Sequence, residues 1–256
     1  MTTPPEPSQV LVVQHQDDCP PALIGEWLVE AGCVLDVRRP YAGEALPGDL
    51  AGHDAFVVLG GSMGANDDDA RDWLPQTKGL VRDAAQRRTP TLGVCLGHQV
   101  AAVALGGEAG RNPRGQQLGL LPVGWTDAAG QDDLTRGLVG TGYGVQWNDD
   151  IVLRPPDETV VLARTPQGEL QVARFAPTVW GVQLHPEVDV HILEQWADED
   201  RHRYDEGVLD DVLRRIDAHY DDLVAGWRPL AQAFAALPGA AGPERRLPGK
   251  DLHPGH

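Results

Sequence analysis

One cysteine, Cys95, stands between Gly93 and Gly97 where an apolar run gives way to an alanine-rich one. The run before it, Thr89-Pro90-Thr91-Leu92-Gly93-Val94, is short and β-leaning; the run from Gln99 to Leu105 has helix-forming composition. A residue wedged in so tight a strand-to-helix turn is forced into strained backbone geometry, with its side chain raised above the sheet. The flanking glycines give such a turn its room. Free N–H groups and the positive dipole end of the next helix favour a thiolate over a thiol. These are conditions for a nucleophile. Ninety residues downstream, the β-like run Trp180-Gly181-Val182-Gln183-Leu184 ends in His185-Pro186-Glu187. Residues i and i+2 of an extended chain share a side, so Glu187 can hold one imidazole nitrogen of His185 while the other faces a partner. Cysteine, histidine and glutamate together specify a nucleophilic hydrolase or acyl-transfer site.

A third element is Val57-Val58-Leu59-Gly60-Gly61-Ser62-Met63-Gly64, an apolar strand running into a glycine turn. Bare main-chain N–H groups in such a turn suit a developing oxyanion, because they are already oriented. The three motifs resemble those of the class I (triad) glutamine amidotransferases. That family has a G-x-C-x-G-x-Q elbow, here Gly93, Cys95, Gly97 and Gln99, and a later H-P-E, here His185, Pro186 and Glu187. Over roughly residues 9 to 190 the layout is most similar to stand-alone relatives of the GMP synthase glutaminase domain.

The resemblance implies that Cys95, His185 and Glu187 form the triad. It implies attack on the side-chain amide of L-glutamine, a γ-glutamyl thioester, ammonia passed to a separate synthetase, and release of glutamate by water. It also implies that the Gly61 and Leu96 N–H groups form the oxyanion hole, and that Gly60 and Gln99 contact substrate. Ser62 stands where the family often has proline, a change that a main-chain donor tolerates. Asn148 stands where relatives carry the histidine of a His-x-Asp motif, and Gln117 where they usually read Glu-Ile-Gly. Both departures bear on substrate choice, and they keep a γ-glutamyl hydrolase, or another cysteine amidase or peptidase, as the alternative. A binding or regulatory module on an inherited fold is a third reading, opposed by the intact triad.

The chain has 256 residues, the size of one α/β domain plus an accessory segment. It has no G-x-x-x-x-G-K-[ST] phosphate cradle, so an ATP-dependent synthetase subunit would act in trans. Lys plus Arg number 21 against 38 acids, a net charge of −17, which argues against nucleic acid or an anionic membrane as partner and suits a basic protein. No run of eighteen apolar residues is present to span a membrane. The proline-rich start does not read as a signal peptide. Three cysteines without a CxxC suit a reducing, cytoplasmic setting. Seven of the nine histidines, all but His98 and His185, show no metal-ligand spacing with nearby cysteines, so no metal or other cofactor is expected.

Strands alternate with helices as far as Gly107, which predicts a doubly wound, mostly parallel sheet with helices on both faces, flavodoxin-like in plan. In such sheets sites lie at the carboxyl ends of strands, where both the glycine turn and the elbow fall. Asp67-Asp68-Asp69 is expected to open the helix that ends near Arg88. Later strands, roughly 118–126, 150–153, 159–164, 170–175 and 179–183, are expected to add antiparallel hairpins and to return His185 to the elbow. Beyond Glu187 an apolar stripe runs from Leu209 through Leu213, Ile216 and Tyr220 to Leu237, broken near Gly226 and Pro229. It either packs back on the domain or serves a homo-oligomer or partner contact. The expected division is a flexible start over 1–8, a catalytic domain over 9–190, a helical extension over 191–237 and a disordered tail over 238–256. Cys33 reads as a buried small hydrophobe and Cys19 as a loop residue without chemistry. His98 is either structural or pocket-lining.

Overall fold

The structure is a computed structural model that describes residues 7–237. The expected flexible start as far as Glu6, and the expected tail from Pro238, lie outside the described residues. The first half alternates strand and helix: β1 (Gln9–Val13), α1 (Ala22–Glu30), β2 (Val34–Arg38), β3 (Ala55–Val58), α2 (Trp73–Arg87), β4 (Thr91–Val94) and α3 (Leu96–Ala104). The second half is mostly strand: β5 (Glu108–Arg111), β6 (Gln117–Pro122), β7 (Gly124–Trp125), β8 (Tyr143–Asn148), β9 (Asp150–Arg154), β10 (Val160–Arg164), β11 (Leu170–Ala176) and β12 (Val179–Val182). Three helices close the chain, α4 (Val190–Asp200), α5 (Val208–Asp217) and α6 (Tyr220–Ala235).

Eight strands form one sheet in the order β2-β1-β3-β4-β12-β11-β10-β7. β2, β1, β3, β4 and β12 run parallel, and β11, β10 and β7 extend the sheet antiparallel. Successive residues of a strand face opposite sides, and here both sides are covered. Val10, Val12 and Val57 pack with Trp27 of α1 and with Trp227 and Phe234 of α6. Leu11, Val13, Phe56 and Val58 pack with Leu74 and Leu80 of α2 and Val100 of α3. The sheet is thus sandwiched between two helical layers, and the C-terminal helix is part of one of them. Among the described residues no helix is long and apolar enough to cross a membrane.

The structure revises four details. α2 starts at Trp73, after the acidic triplet. Asp67 instead accepts the Gly64 N–H at 2.8 Å, and Asp68 pairs with Lys78 at 2.6 Å, so these carboxylates serve a turn. β5 and β8 lie where no strand was expected, and each pairs outside the main sheet, with β9 and β6 respectively. The C-terminal stripe breaks between Asp217 and Tyr220, while Gly226 and Pro229 lie within α6. Gly226 is where Thr141 docks: its hydroxyl donates to the Gly226 carbonyl at 2.9 Å, and a Cβ there would come within 3.0 Å of the threonine methyl.

β12 lies beside β4 with Gly181 opposite Gly93 and Val182 opposite Val94. The Cys95 N–H donates to the Val182 carbonyl at 2.8 Å, so the chain leaving β12 starts its turn next to the cysteine. The close fit has a measurable consequence. A Cβ at Gly97 would lie 2.0 Å from the Val58 carbonyl oxygen. Gly97→Ala is expected to cost about 4 kcal/mol or more, lowering Tm by roughly 8–16 °C for a domain of this size. Gly130→Ala, where a methyl group meets open space, should move Tm by less than about 2 °C in the same thermal melt.

Candidate active site

The elbow holds Cys95 at φ +49° and ψ −103°, between β4 and the first residue of α3. Positive φ in a non-glycine residue costs on the order of 1–3 kcal/mol and persists only where the surroundings impose it. Here they do: a Cβ at Gly93 would lie 2.4 Å from the Gly97 carbonyl oxygen, and Gly97 itself touches Val58. No bulkier pair fits between strand and helix. Cys95 is 6% exposed and opens onto a cavity of about 450 Å³.

His185 and Glu187 are buried, and Nδ1 of the ring meets Glu187 Oε1 at 2.7 Å. The His185 N–H donates to the Val145 carbonyl at 2.8 Å, so β8 fixes the height of the imidazole. The indole of Trp196, on α4, stands edge-on to the ring with centroids 4.7 Å apart. Burial alone would lower the pKa of His185. The Cys95 and Glu187 charges, and the hydrogen bonds that both make to the ring, outweigh burial and push it up to about 10. The ring therefore carries its proton at neutral pH and faces the sulfur as an imidazolium. Gly60 makes this approach possible, since a Cβ there would lie 3.3 Å from His185 Cε1 and 3.8 Å from Cys95 Cβ.

Behind the sulfur runs a relay of amides. Gln183 Nε2 donates to Cys95 Sγ at 3.6 Å. Gln99 Nε2 donates to Gln183 Oε1 at 3.3 Å and to the Asp150 main-chain carbonyl at 2.9 Å. The same carbonyl accepts from Asn148 Nδ2 at 3.0 Å, and Asn148 also donates to Gln117 Oε1 at 3.1 Å. Gln117 and Asn148, the two departures from the family motifs, are thus direct cross-strand partners of β6 and β8.

Gly61 lines the cavity, and its N–H donates to no protein acceptor among the described residues. Leu96 opens α3, so its N–H has no helical acceptor either. The two are adjacent: a Cβ at Gly61 would meet Leu96 Cδ2 at 3.0 Å and Met63 Sδ at 2.6 Å. Ser62 gives its N–H to Gln16 Oε1 at 2.7 Å, a bond that a proline there could not make.

Of the residues singled out in the sequence, Cys95, His185, Gly61 and Gln99 line the cavity, Glu187 stands behind the ring, and Leu96 is buried at the helix start. Gly60 packs against His185 and Cys95 and is absent from the cavity lining. His98 is fully buried against Phe175, ring centroids 5.0 Å apart; burial pulls its pKa down to about 3, so it is a neutral structural residue. Cys19 lies in a loop, as expected. It lines the cavity near Cys95, and burial, reinforced by Asp18 and Glu187, pushes its thiol well up.

Sequence reasoning missed Gln183, although an amide two residues before His185 in an otherwise apolar strand was a usable signal. It also missed the wall formed by Trp147, Trp196, Glu199, Asp200 and Arg203, which come from β8 and the C-terminal helices. Burial alone would raise the Asp149 carboxyl, but Arg203 and Arg111, each within 2.9 Å, hold it below its ordinary value.

The model of the family "Glutamine amidotransferase class-I" matches residues 23–194, about two-thirds of the chain. The chain belongs to that family. It is similar to a GMP synthase [glutamine-hydrolyzing] of Aeropyrum pernix, 35% identical over 190 residues, which cover 73% of this chain and 30% of that protein's length. It is similar to gamma-glutamyl peptidase 5 of Arabidopsis thaliana, 28% identical over 59% of this chain and 60% of that one. A crystal structure of a glutamine amidotransferase from Thermotoga maritima superposes with a TM-score of 0.79 at 20% identity, covering 90% of this chain and 99% of that one. That likeness bears out the doubly wound fold. By family, the chain is an enzyme of the class I glutamine amidotransferase kind.

The His185 proton is testable by NMR titration of labelled histidine. It should persist through neutrality and leave only as pH approaches about 10. Because the folded value lies above the unfolded 6.5, the stabilisation from this pairing is complete below pH 6.5 and lost as pH climbs toward 10. Glu187→Gln removes one supporting charge, and the proton should then be lost at lower pH.

Proposed function

We propose that this chain hydrolyses the side-chain amide of L-glutamine through Cys95, His185 and Glu187. The observation that carries the reading is the buried ring of His185, held by Glu187 and set against a cysteine on a strained elbow. The Cys95 thiolate attacks the amide carbon, and the Gly61 and Leu96 N–H groups take the oxyanion. His185 gives its proton to the departing nitrogen, the C–N bond breaks, and ammonia leaves a γ-glutamyl thioester. Neutral His185 then takes a proton from water, and hydroxide attacks the thioester. The C–S bond breaks, glutamate is released, and the imidazolium–thiolate pair returns. Gln183, with Gln99 behind it, steadies the sulfur.

We further read the ammonia as passed to an ATP-dependent synthetase in trans. Support comes from the Aeropyrum relative, whose name couples glutamine hydrolysis to synthesis and of which this chain matches only 30%. The net charge of −17 suits a basic docking face on such a partner. Three cysteines, none in a disulfide, fit a cytoplasmic setting. Residues 9–190 act as the catalytic domain and 191–237 as an extension that completes the cavity wall with Trp196, Glu199, Asp200 and Arg203.

A second reading keeps the chemistry and enlarges the leaving group. The cavity, about 450 Å³, is lined by Trp147 and Trp196 beside His185, room enough for an amine larger than ammonia, and one relative is named a gamma-glutamyl peptidase. The leaving group departs on the side of the residue that protonates it, which is this side.

Cys95→Ala should lower glutamine hydrolysis by roughly 10⁴-fold or more with Tm and circular dichroism unchanged. Turnover retained in that variant would remove the cysteine mechanism. Steady-state comparison of glutamine with γ-glutamyl dipeptides on the wild-type protein separates the two readings: a higher kcat/KM for the dipeptides favours the peptidase.

A further inference from the structure

Cys19 brings a second sulfur to the catalytic cavity, and the reaction proposed above leaves it unused. It is 7% exposed and lines the same cavity as Cys95. All three cysteines of the chain are free thiols. Cys19, Cys95 and His185 converge over one glycine. The point that a Cβ of Gly60 would occupy lies 3.3 Å from His185 Cε1, 3.8 Å from Cys95 Cβ and 4.0 Å from Cys19 Sγ. Two sulfur side chains and a base thus share the space that a larger residue would fill.

The two cysteines differ in charge and in freedom to move. Thiolate is the form that the reading above gives Cys95. Burial, reinforced by the charges of Asp18, Glu187 and Cys95, pushes the Cys19 thiol well up, so it rests protonated. An oxidant entering the cavity therefore meets one nucleophilic sulfur with a neutral thiol beside it. A disulfide needs its sulfurs about 2 Å apart, so one of them has to approach the other. Cys95 is locked in the elbow between β4 and α3, whereas Cys19 lies in the connection from β1 to α1, outside strand and helix. Its own N–H reaches only the Gln16 carbonyl, within that connection, at 3.4 Å. Cys33 is no rival partner: the nine residues of α1, about 14 Å of helix, stand between it and Cys19.

We infer that Cys19 is the resolving thiol for oxidation at Cys95, so that a hydroperoxide converts the pair to a Cys19–Cys95 disulfide that shuts the site reversibly. The inference rests on the nucleophilic Cys95 of the reading above, not on glutamine as its substrate. The Cys95 sulfur attacks the peroxide, the O–O bond breaks, and His185 gives its proton to the departing hydroxide, which leaves as water. Cys95 is now a sulfenic acid: the sulfur has lost two electrons and the peroxide has gained them. The charge that opposed ionisation of Cys19 and supported the His185 proton is gone at the same moment. Neutral His185 takes the Cys19 proton, and the Cys19 sulfur attacks that of Cys95. The S–S bond forms, the S–O bond breaks, and hydroxide takes the proton from His185 to leave as a second water.

The test treats the full chain with hydrogen peroxide in small molar excess, blocks the remaining thiols and digests after glutamate. Glu26 and Glu30 then divide the Cys19 peptide from that of Cys33. Mass spectrometry should find the Cys19 and Cys95 peptides joined, and dithiothreitol should part them. Iodoacetamide labelling of Cys95 in the native protein should fall as the bridge forms and return with dithiothreitol. In Cys19→Ser, and equally in Cys19→Ala, the same treatment should carry Cys95 on to the sulfinic acid. The labelling that dithiothreitol restores should then drop about tenfold or more, because that step is irreversible. Wild-type Cys95 that becomes sulfinic acid while Cys19 stays free overturns the inference, as does a Cys95 that resists oxidation or a bridge from Cys19 to Cys33.

Neither readout depends on glutamine. A bridge in a protein that leaves glutamine intact removes the glutaminase reading and keeps the resolving thiol. Glutamine turnover by a protein that forms no bridge does the reverse.

Discussion

Cys95 is held at a positive φ by a fit with no slack, and the rest of the site is built around that turn. Gly97 lies against the Val58 carbonyl and Gly93 against Gly97, so strand β4 and helix α3 approach more closely than any side chain would allow. The strain of the turn is offset by the fully buried strands on either side, β3 and β12. A parallel sheet buried on both faces supplies that rigidity, because neither strand can shift without opening one of two packed layers. The strain has a chemical use. It lifts the sulfur out of the sheet toward the cavity while leaving the first N–H groups of α3 unspent.

The second constraint is electrostatic. A buried imidazolium is unfavourable alone, and only the sulfur on one side and Glu187 on the other make it the preferred state of His185. His185 and Cys95 thus form one pair, with the ring's proton favoured by the sulfur beside it and the carboxylate behind it. Around this pair the protein uses amides rather than further charges. Gln183 touches the sulfur, Gln99 supports Gln183, and one main-chain carbonyl, that of Asp150, fixes both Gln99 and Asn148. A carbonyl that accepts from two side chains leaves neither amide free to turn over. The orientation of the cavity wall thus follows from the path of the backbone between β8 and β9.

The C-terminal helices are as much part of this arrangement as the sheet. α6 packs beside α1 over the same face of β1, and α4 sets Trp196 against the His185 ring. Their acidic residues leave the mouth of the cavity rich in carboxylates, with Asp200 tied to Arg203 and to the Trp147 indole at 2.9 Å.

Much of this was legible in the linear order of residues. The alternation of apolar strands with helices, the glycines around Cys95 and the i, i+2 spacing of His185 and Glu187 are local patterns, and local patterns carry the preferences of a strand, a turn or a helix in their composition. They determined the doubly wound fold, the elbow at Cys95 and the pairing of His185 with Glu187. The amide pair of Gln117 and Asn148, the cavity place of Cys19, the burial of His98 and the wall from α4 were decided only by tertiary structure. Each joins residues far apart in the chain, through register between strands or packing between layers, and no short window of sequence contains both partners. The shift of the helix break from Gly226 and Pro229 to the residues after Asp217 has the same origin. Thr141 and the strands beneath α6 hold that helix together through residues whose own preferences would have ended it.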